Sequence, residues 1–187
     1  MKKIIVFAAA TLLAITGIQA QQETAVRKDI KELKKEKKAD EKQLRKLEGN
    51  DVSVQSKTQF NIDFGNIPNV KWKRNGYFDE AVFTQHGVTK KAFYDFDSQL
   101  VGTVMPRQFS DLPTSAQKHI TTKYSDYKID RVIMYDDNEF NDMDMYLYGT
   151  QFDDEDNYFV ELSKADARLI LKVKMDGDVS YFKEMKN

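Results

Sequence analysis

Hydrophobic and polar positions change their period several times along this chain of 187 residues. After Lys2 and Lys3, an apolar run extends from Ile4 to Ile15 and gives way to small and polar residues up to Ala20. From Glu23 to Glu48 the chain is almost wholly Lys, Glu, Asp, Arg, Gln, Ala and Leu, with no Gly or Pro, which predicts a helix. Val26, Ile30 and Leu33 share one face of it, and Leu44 and Leu47 resume that face, but Lys37 and Asp40 interrupt the seam. A coiled coil needs apolar residues sustained over about three or four heptads. The interrupted pattern therefore predicts a solvated helical spacer, with weak helix pairing as the alternative. Gly49-Asn50 supplies its stop.

Beyond Asp51 the pattern shortens. Between Ser53 and Phe64 two readings stay open. Phe60 and Phe64 share a helix face, whereas Phe60, Ile62 and Phe64 also alternate as a strand would. Val70 to Arg74 alternates cleanly, and Asn75-Gly76 signals a two-residue hairpin turn into a strand from Tyr77 to Thr84. A turn at Gln85-His86-Gly87 leads to Val88–Phe96, and Asp97-Ser98 turns the chain into Leu100–Met105. Leu112, Ala116, Ile120 and Tyr124 then recur every four residues, and Pro113 suits a first helical turn, so a helix ends near Tyr124. Strands resume over 127–135, 143–152, 157–162 and 169–175, and Asp176-Gly177 turns the chain into Val179–Phe182. Two antiparallel runs interrupted by a helix predict an α+β fold, with helix laid on one face of a sheet.

Composition adds an address. Two lysines, an apolar run of about a dozen residues and a small-residue end read as a signal peptide over 1–20. The run is shorter than the roughly twenty residues that cross a bilayer, and no later stretch matches it. Export to the periplasm or beyond is therefore expected, with cleavage after Ala20 although Ile18 sits where a small residue is usual. There are no cysteines, so no disulfide supports the exported chain. Residues 21–49 carry 10 basic and 7 acidic side chains, a net +3; residues 50–187 carry 17 and 23, a net −6. An acidic main domain argues against nucleic acid as a partner.

The order Phe64, Val70-Lys71-Trp72, Glu80-Ala81-Val82-Phe83, Ala92-Phe93-Tyr94-Asp95, Leu100-Val101 and Leu112-Pro113 carries a resemblance. Ile120, Tyr124, Tyr158-Phe159-Val160 and Met175-Asp176-Gly177 continue it. Over residues 51–187 the chain resembles the PepSY-like exported proteins, grouped with the β-lactamase-inhibitor-protein-like fold. It departs at Asp97-Ser98, where that family usually places a Gly. The resemblance implies a curved antiparallel sheet with helices packed on one face, an exported location and a theme of binding or inhibiting other proteins. It implies no catalytic residues. The expected organisation is a signal peptide over 1–20, a charged helical segment or spacer over 21–49 and a PepSY-like domain over 50–187.

Candidate chemistry is sparse. His86 falls in a turn and His119 on the outer side of a helix. Neither has the partners that a zinc site or a catalytic triad requires. No HExxH, nucleophile elbow, GxxxxGK(S/T) or GxGxxG occurs. The acid-rich stretches around Asp136, Asp137, Glu139, Asp142 and Asp144, and over Asp153–Asp156, lack the EF-hand pattern and read as solvated loops. No metal, cofactor or enzymatic activity is expected. Aromatic residues on strands carry the better case for binding, and Trp72, Tyr94, Tyr146 and Tyr148 are the candidate contacts. The function expected is a non-enzymatic module engaging an envelope protein or peptide through its sheet face. The alternative is a structural envelope protein that self-associates through the charged helix.

Overall fold

The computed structural model describes residues 51–185, together with residues 26–28, 33, 40, 43, 47 and 49. The signal segment expected over 1–20 and most of the charged segment over 21–49 lie outside the described residues. Val26, Arg27, Lys28, Leu33, Asp40, Gln43 and Leu47 are helical.

The ambiguity at Ser53 resolves as a helix, α1 (Val54–Phe64). Ser53 caps it, its side chain accepting from the Gln55 backbone N–H at 3.1 Å. Phe60 and Phe64 lie on the inner side with ring centroids 5.1 Å apart, whereas Ile62 is 71% exposed. The alternating reading of Phe60, Ile62 and Phe64 therefore fails.

Strands β1 (Lys71–Arg74), β2 (Asp79–Gln85), β3 (Val88–Tyr94) and β4 (Leu100–Arg107) follow as an antiparallel meander. A 3-10 turn and helix α2 (Thr114–Lys123) come next, then β5 (Lys128–Asp137), a hairpin of β6 (Met145–Leu147) and β7 (Thr150–Phe152), β8 (Asn157–Lys164), β9 (Ala167–Lys174) and β10 (Val179–Met185). Eight of these strands form one open sheet in the order β1-β2-β3-β4-β5-β8-β9-β10, and β6-β7 is a separate two-stranded ribbon.

Both helices pack on the same face. Phe60 of α1 meets Ala81, Phe83, Ala92 and Tyr94; Leu112, Ala116 and Ile120 of the α2 stripe meet Val132, Val160, Leu162, Leu171 and Val173. Side chains of alternate parity face the other way. Phe93, Val104, Ile133, Tyr135, Phe159 and Ile170 build a third cluster there, beneath Met145 and Phe152 of the ribbon.

Turn chemistry departs from expectation at three points. Asn75-Gly76 is not a two-residue turn: Arg74 pairs with Asp79, and the Asn75 side chain accepts from the Tyr77 and Phe78 backbone N–H groups at 2.9 Å. Its carboxamide thus closes a longer loop instead of occupying a left-handed site. Met143–Phe152 is not one strand, because Tyr148 (φ 53) and Gly149 (φ 72) fold it into the β6-β7 hairpin. Asp176-Gly177 does turn the chain, but as a three-residue loop with Gly177 at φ 93 and its N–H on the Lys174 carbonyl at 2.9 Å.

A buried polar cluster fixes α1 to the sheet. Asp79 takes Nε and Nη2 of Arg74 at 2.6 and 2.8 Å, the Ser53 backbone N–H at 3.0 Å and the Ser56 hydroxyl at 2.9 Å. Ser98, left-handed at φ 61, brings its Oγ to 3.0 Å from that of Ser56. A hydroxyl thus stands where glycine would relieve the backbone. Burial alone would push the Asp79 carboxyl up; the bonds from Arg74, Ser56 and Ser53 outweigh it and hold it below the ordinary value.

A Cβ on Gly177 would lie 2.1 Å from Ser115 Oγ and 3.1 Å from Pro113 Cβ, at the start of α2. Gly177→Ala therefore destabilises by about 2 kcal/mol in urea unfolding, from both the left-handed backbone and the contact. Adding Ser115→Ala restores only part of the loss. Asp79 contributes stability above the ordinary carboxylate pKa of about 4, and that contribution is lost as pH falls through it towards the lower folded value. Asp79→Asn should cost about 3 kcal/mol at neutral pH, with the gap to wild type narrowing below about pH 4. A gap that is constant with pH would contradict the assignment.

Candidate functional site

The helices cover one sheet face, and Tyr94 on it is core. Tyr94 is fully buried, its hydroxyl donating to Asp63 Oδ2 of α1 at 2.9 Å. Burial first, and then the facing Asp63, push that hydroxyl well above the usual phenol range. Trp72 is half-buried against Phe60 and Tyr94, with ring centroids 5.5 and 6.0 Å away. Tyr94 is thus enclosed beneath α1, whereas Trp72, on the edge strand, stays half-buried beside it; both pack α1 against β1–β3. Alternation showed that they share a face, but not that a helix would cover it.

Tyr146 and Tyr148 are on the opposite face. Tyr146 stacks on Tyr77 at 4.3 Å with the rings 7° from parallel, and its hydroxyl donates to Gln151 Oε1 at 2.6 Å. Tyr148 turns the ribbon in a left-handed conformation that costs a non-glycine residue about 1 kcal/mol or more. Its ring approaches Phe159 and its hydroxyl donates to Glu161 Oε1 at 2.8 Å. The Lys183 ammonium donates to the Tyr148 carbonyl. The tip is thus held from below by β8 and β10. Burial first, then Glu161, push the Tyr148 hydroxyl above the usual phenol range.

The ribbon is too short to cover the whole face. Beside its tip lies a hollow of about 340 Å³ over β2–β5, floored by Val82, Phe93, Val104 and Ile133 and walled by Leu147 and Tyr148. A second hollow, of about 380 Å³, adjoins it beside the stacked Tyr77 and Tyr146, sharing Lys91, Phe93, Leu147 and Tyr148 with the first. Together they form a groove with a mostly apolar floor and side chains from both the sheet and the ribbon. Volumes of this order suit small ligands or a few side chains of a partner.

Gly102 leaves room for Tyr135 in the cluster beneath the ribbon. A Cβ there would lie 2.6 Å from the Tyr135 ring and hydroxyl. Its absence lets Tyr135 lie under β4 and donate to Asp137 Oδ1 at 2.8 Å.

Sequence reasoning missed Val82, Val104, Ile133 and Leu147. A signal existed: β2 and β4 carry near-continuous apolar runs, Ala81-Val82-Phe83 and Val104-Met105-Pro106, which mark strands with apolar side chains on both faces. The acid-rich loops cluster at one end of the sheet. Partial desolvation, then the facing Asp137, and Asp142 and Asp144 beyond it, push the Asp154 carboxyl up to about 6. Among the described residues no group of three or more His, Asp or Glu is arranged to hold a metal ion. His86 sits exposed in the β2–β3 turn and His119 exposed on α2.

No family model matches the sequence, and no curated protein matches it. Solved structures do. A BLIP-like protein from Bacteroides fragilis aligns with a TM-score of 0.56 at 16% identity, covering 73% of this chain and 89% of its own. A DUF2874 family protein from Bacteroides uniformis aligns with a TM-score of 0.57 at 12% identity, covering 72% and 88%. A protein from Bacteroides eggerthii, provisionally described as periplasmic, aligns with a TM-score of 0.58 at 10% identity, covering 72% and 88%. At such identities the likeness shows the fold alone: this chain has the BLIP-like fold of an open antiparallel sheet with helices on one face.

Proposed function

We propose that the chain is an exported, non-enzymatic binding module of the PepSY-like kind, engaging an envelope protein or peptide through the groove on its helix-free face. Export by residues 1–20 and a helical spacer over 21–49 belong to this reading. Among the described residues no helix is long and apolar enough to cross a membrane. The provisional description of one structural neighbour as periplasmic is in keeping with export. Of the four candidate contacts, Tyr146 and Tyr148 line this groove, and Trp72 and Tyr94 lie on the helix-covered face.

One observation carries the reading. A tyrosine occupies the left-handed position of a two-residue hairpin turn, where Asn is the residue that local stability favours. Its ring walls the groove instead. Strain of that kind persists where the surroundings enforce it, and binding sites are where it concentrates. The groove floor supplies apolar area, and the rigid sheet beneath holds it preorganised, which limits the ordering cost on association.

The test separates folding from binding. Tyr148→Asn relieves the backbone cost while removing the ring, its hydrogen bond to Glu161 and its contact with Phe159. These effects offset, so unfolding free energy should change by less than about 1 kcal/mol. A protein retained from an envelope extract by the immobilised chain should be reduced about tenfold or more with the variant, and also with Val82→Asp. Equal retention by wild type and both variants contradicts the reading.

A further inference from the structure

The charge of the groove opposes that of its domain. Residues 50–187 carry a net −6, yet the side chains that rise around the open face are cationic. Strand pairing places Lys71 beside Val82 and Lys73 beside Glu80, so both lysines share the face of Val82, and both are exposed. Lys91, Arg131 and Arg168 stand further along it, with side chains 41%, 58% and 49% exposed.

The carboxylates on this face are sunk beneath them. Glu80 is 15% exposed and lies 3.0 Å from the Lys91 ammonium. Glu161 is 14% exposed, takes the Tyr148 hydroxyl, and lies 3.7 and 3.8 Å from Arg131 and Arg168. Each half-buried acid lies against the charged head of a longer cationic side chain that itself stays well exposed. Nine of the domain's 23 acids lie in the loops at 136–144 and 153–156.

We infer that the groove takes an acidic, extended segment of a partner protein. Apolar side chains of that segment rest on Val82, Val104 and Ile133, and its carboxylates meet Lys91 and Arg131. An apolar floor alone would accept any hydrophobic peptide; the cationic rim selects against basic ones, since like charges across an interface are costly. The rim also steers encounter, because local potential, and not net charge, governs approach at short range. This inference rests on the reading of the groove as the binding face, and it adds the chemistry of the partner.

The probe is a short blocked peptide alternating Glu with Leu and Phe, titrated into the isotope-labelled chain from Gln21 to Asn187 and followed by amide NMR shifts. Its Gln-for-Glu and Lys-for-Glu counterparts and an oligothymidylate serve as comparisons. The Glu peptide should shift amides around Val82, Lys91, Val104 and Arg131, and its affinity should fall about tenfold as salt rises to about 0.5 M. Lys91→Glu with Arg131→Glu should weaken it about tenfold or more with the amide spectrum otherwise preserved. Should that variant fold poorly, Lys91→Gln with Arg131→Gln and the salt series on wild type give the same discrimination.

Equal shifts with the Gln or Lys peptide overturn the acidic preference and leave the groove as a binding face. Equal shifts with oligothymidylate overturn it too, showing that bare negative charge suffices. Shifts with none of the probes at millimolar concentration overturn both the inference and the groove reading.

Discussion

The sheet is apolar on both faces, and that constraint organises the molecule. One row of alternating side chains, from Phe83 and Tyr94 to Val160 and Val173, requires a cover, and so does the opposite row from Phe93 and Val104 to Tyr135 and Phe159. Two helices meet the first requirement. A ribbon of two three-residue strands meets the second only over the centre of the face. The sheet could not remain soluble with either row bare. The groove is what the shorter cover leaves open.

Placement of the covers depends on polar contacts, since hydrophobic burial has no direction. At one end, Asp79 gathers Arg74, Ser53 and Ser56 and so sets where α1 begins relative to β1 and β2. On the other face, Glu161 and Lys183 hold the Tyr148 turn from below. Both devices place a buried or half-buried acid under a cation. The two devices differ in what they leave in water: Arg74 is 5% exposed on the helix-covered face, whereas Arg131 and Arg168 over Glu161 stay 58% and 49% exposed on the open one.

Much of this was legible in the residues. Alternation located the strands of the main sheet, and the four-residue spacing of Leu112, Ala116 and Ile120 located the second helix and its buried side. What alternation leaves open is which face receives a helix: Tyr94 is core beneath α1, and Trp72 is half-buried at its side. Turns were legible only where the residue advertises its backbone. His86-Gly87 and Gly177 did so. Tyr148 did not, because nothing in a tyrosine signals a positive φ, and the ribbon was read as one strand. Asn75-Gly76 advertised a turn type that the Asn75 side chain replaced with a capped loop. The groove was least legible, since it arises from the mismatch in length between a ribbon and a sheet that meet only in three dimensions.

The most direct measurement is site-specific photo-crosslinking in intact cells. A photoreactive phenylalanine analogue replaces Val82 in the groove or, for comparison, His119 on the outer side of α2. Binding through the helix-free face predicts a discrete adduct with another protein from position 82 and none from position 119. Adducts from position 119 alone, or equal adducts from both, would contradict it.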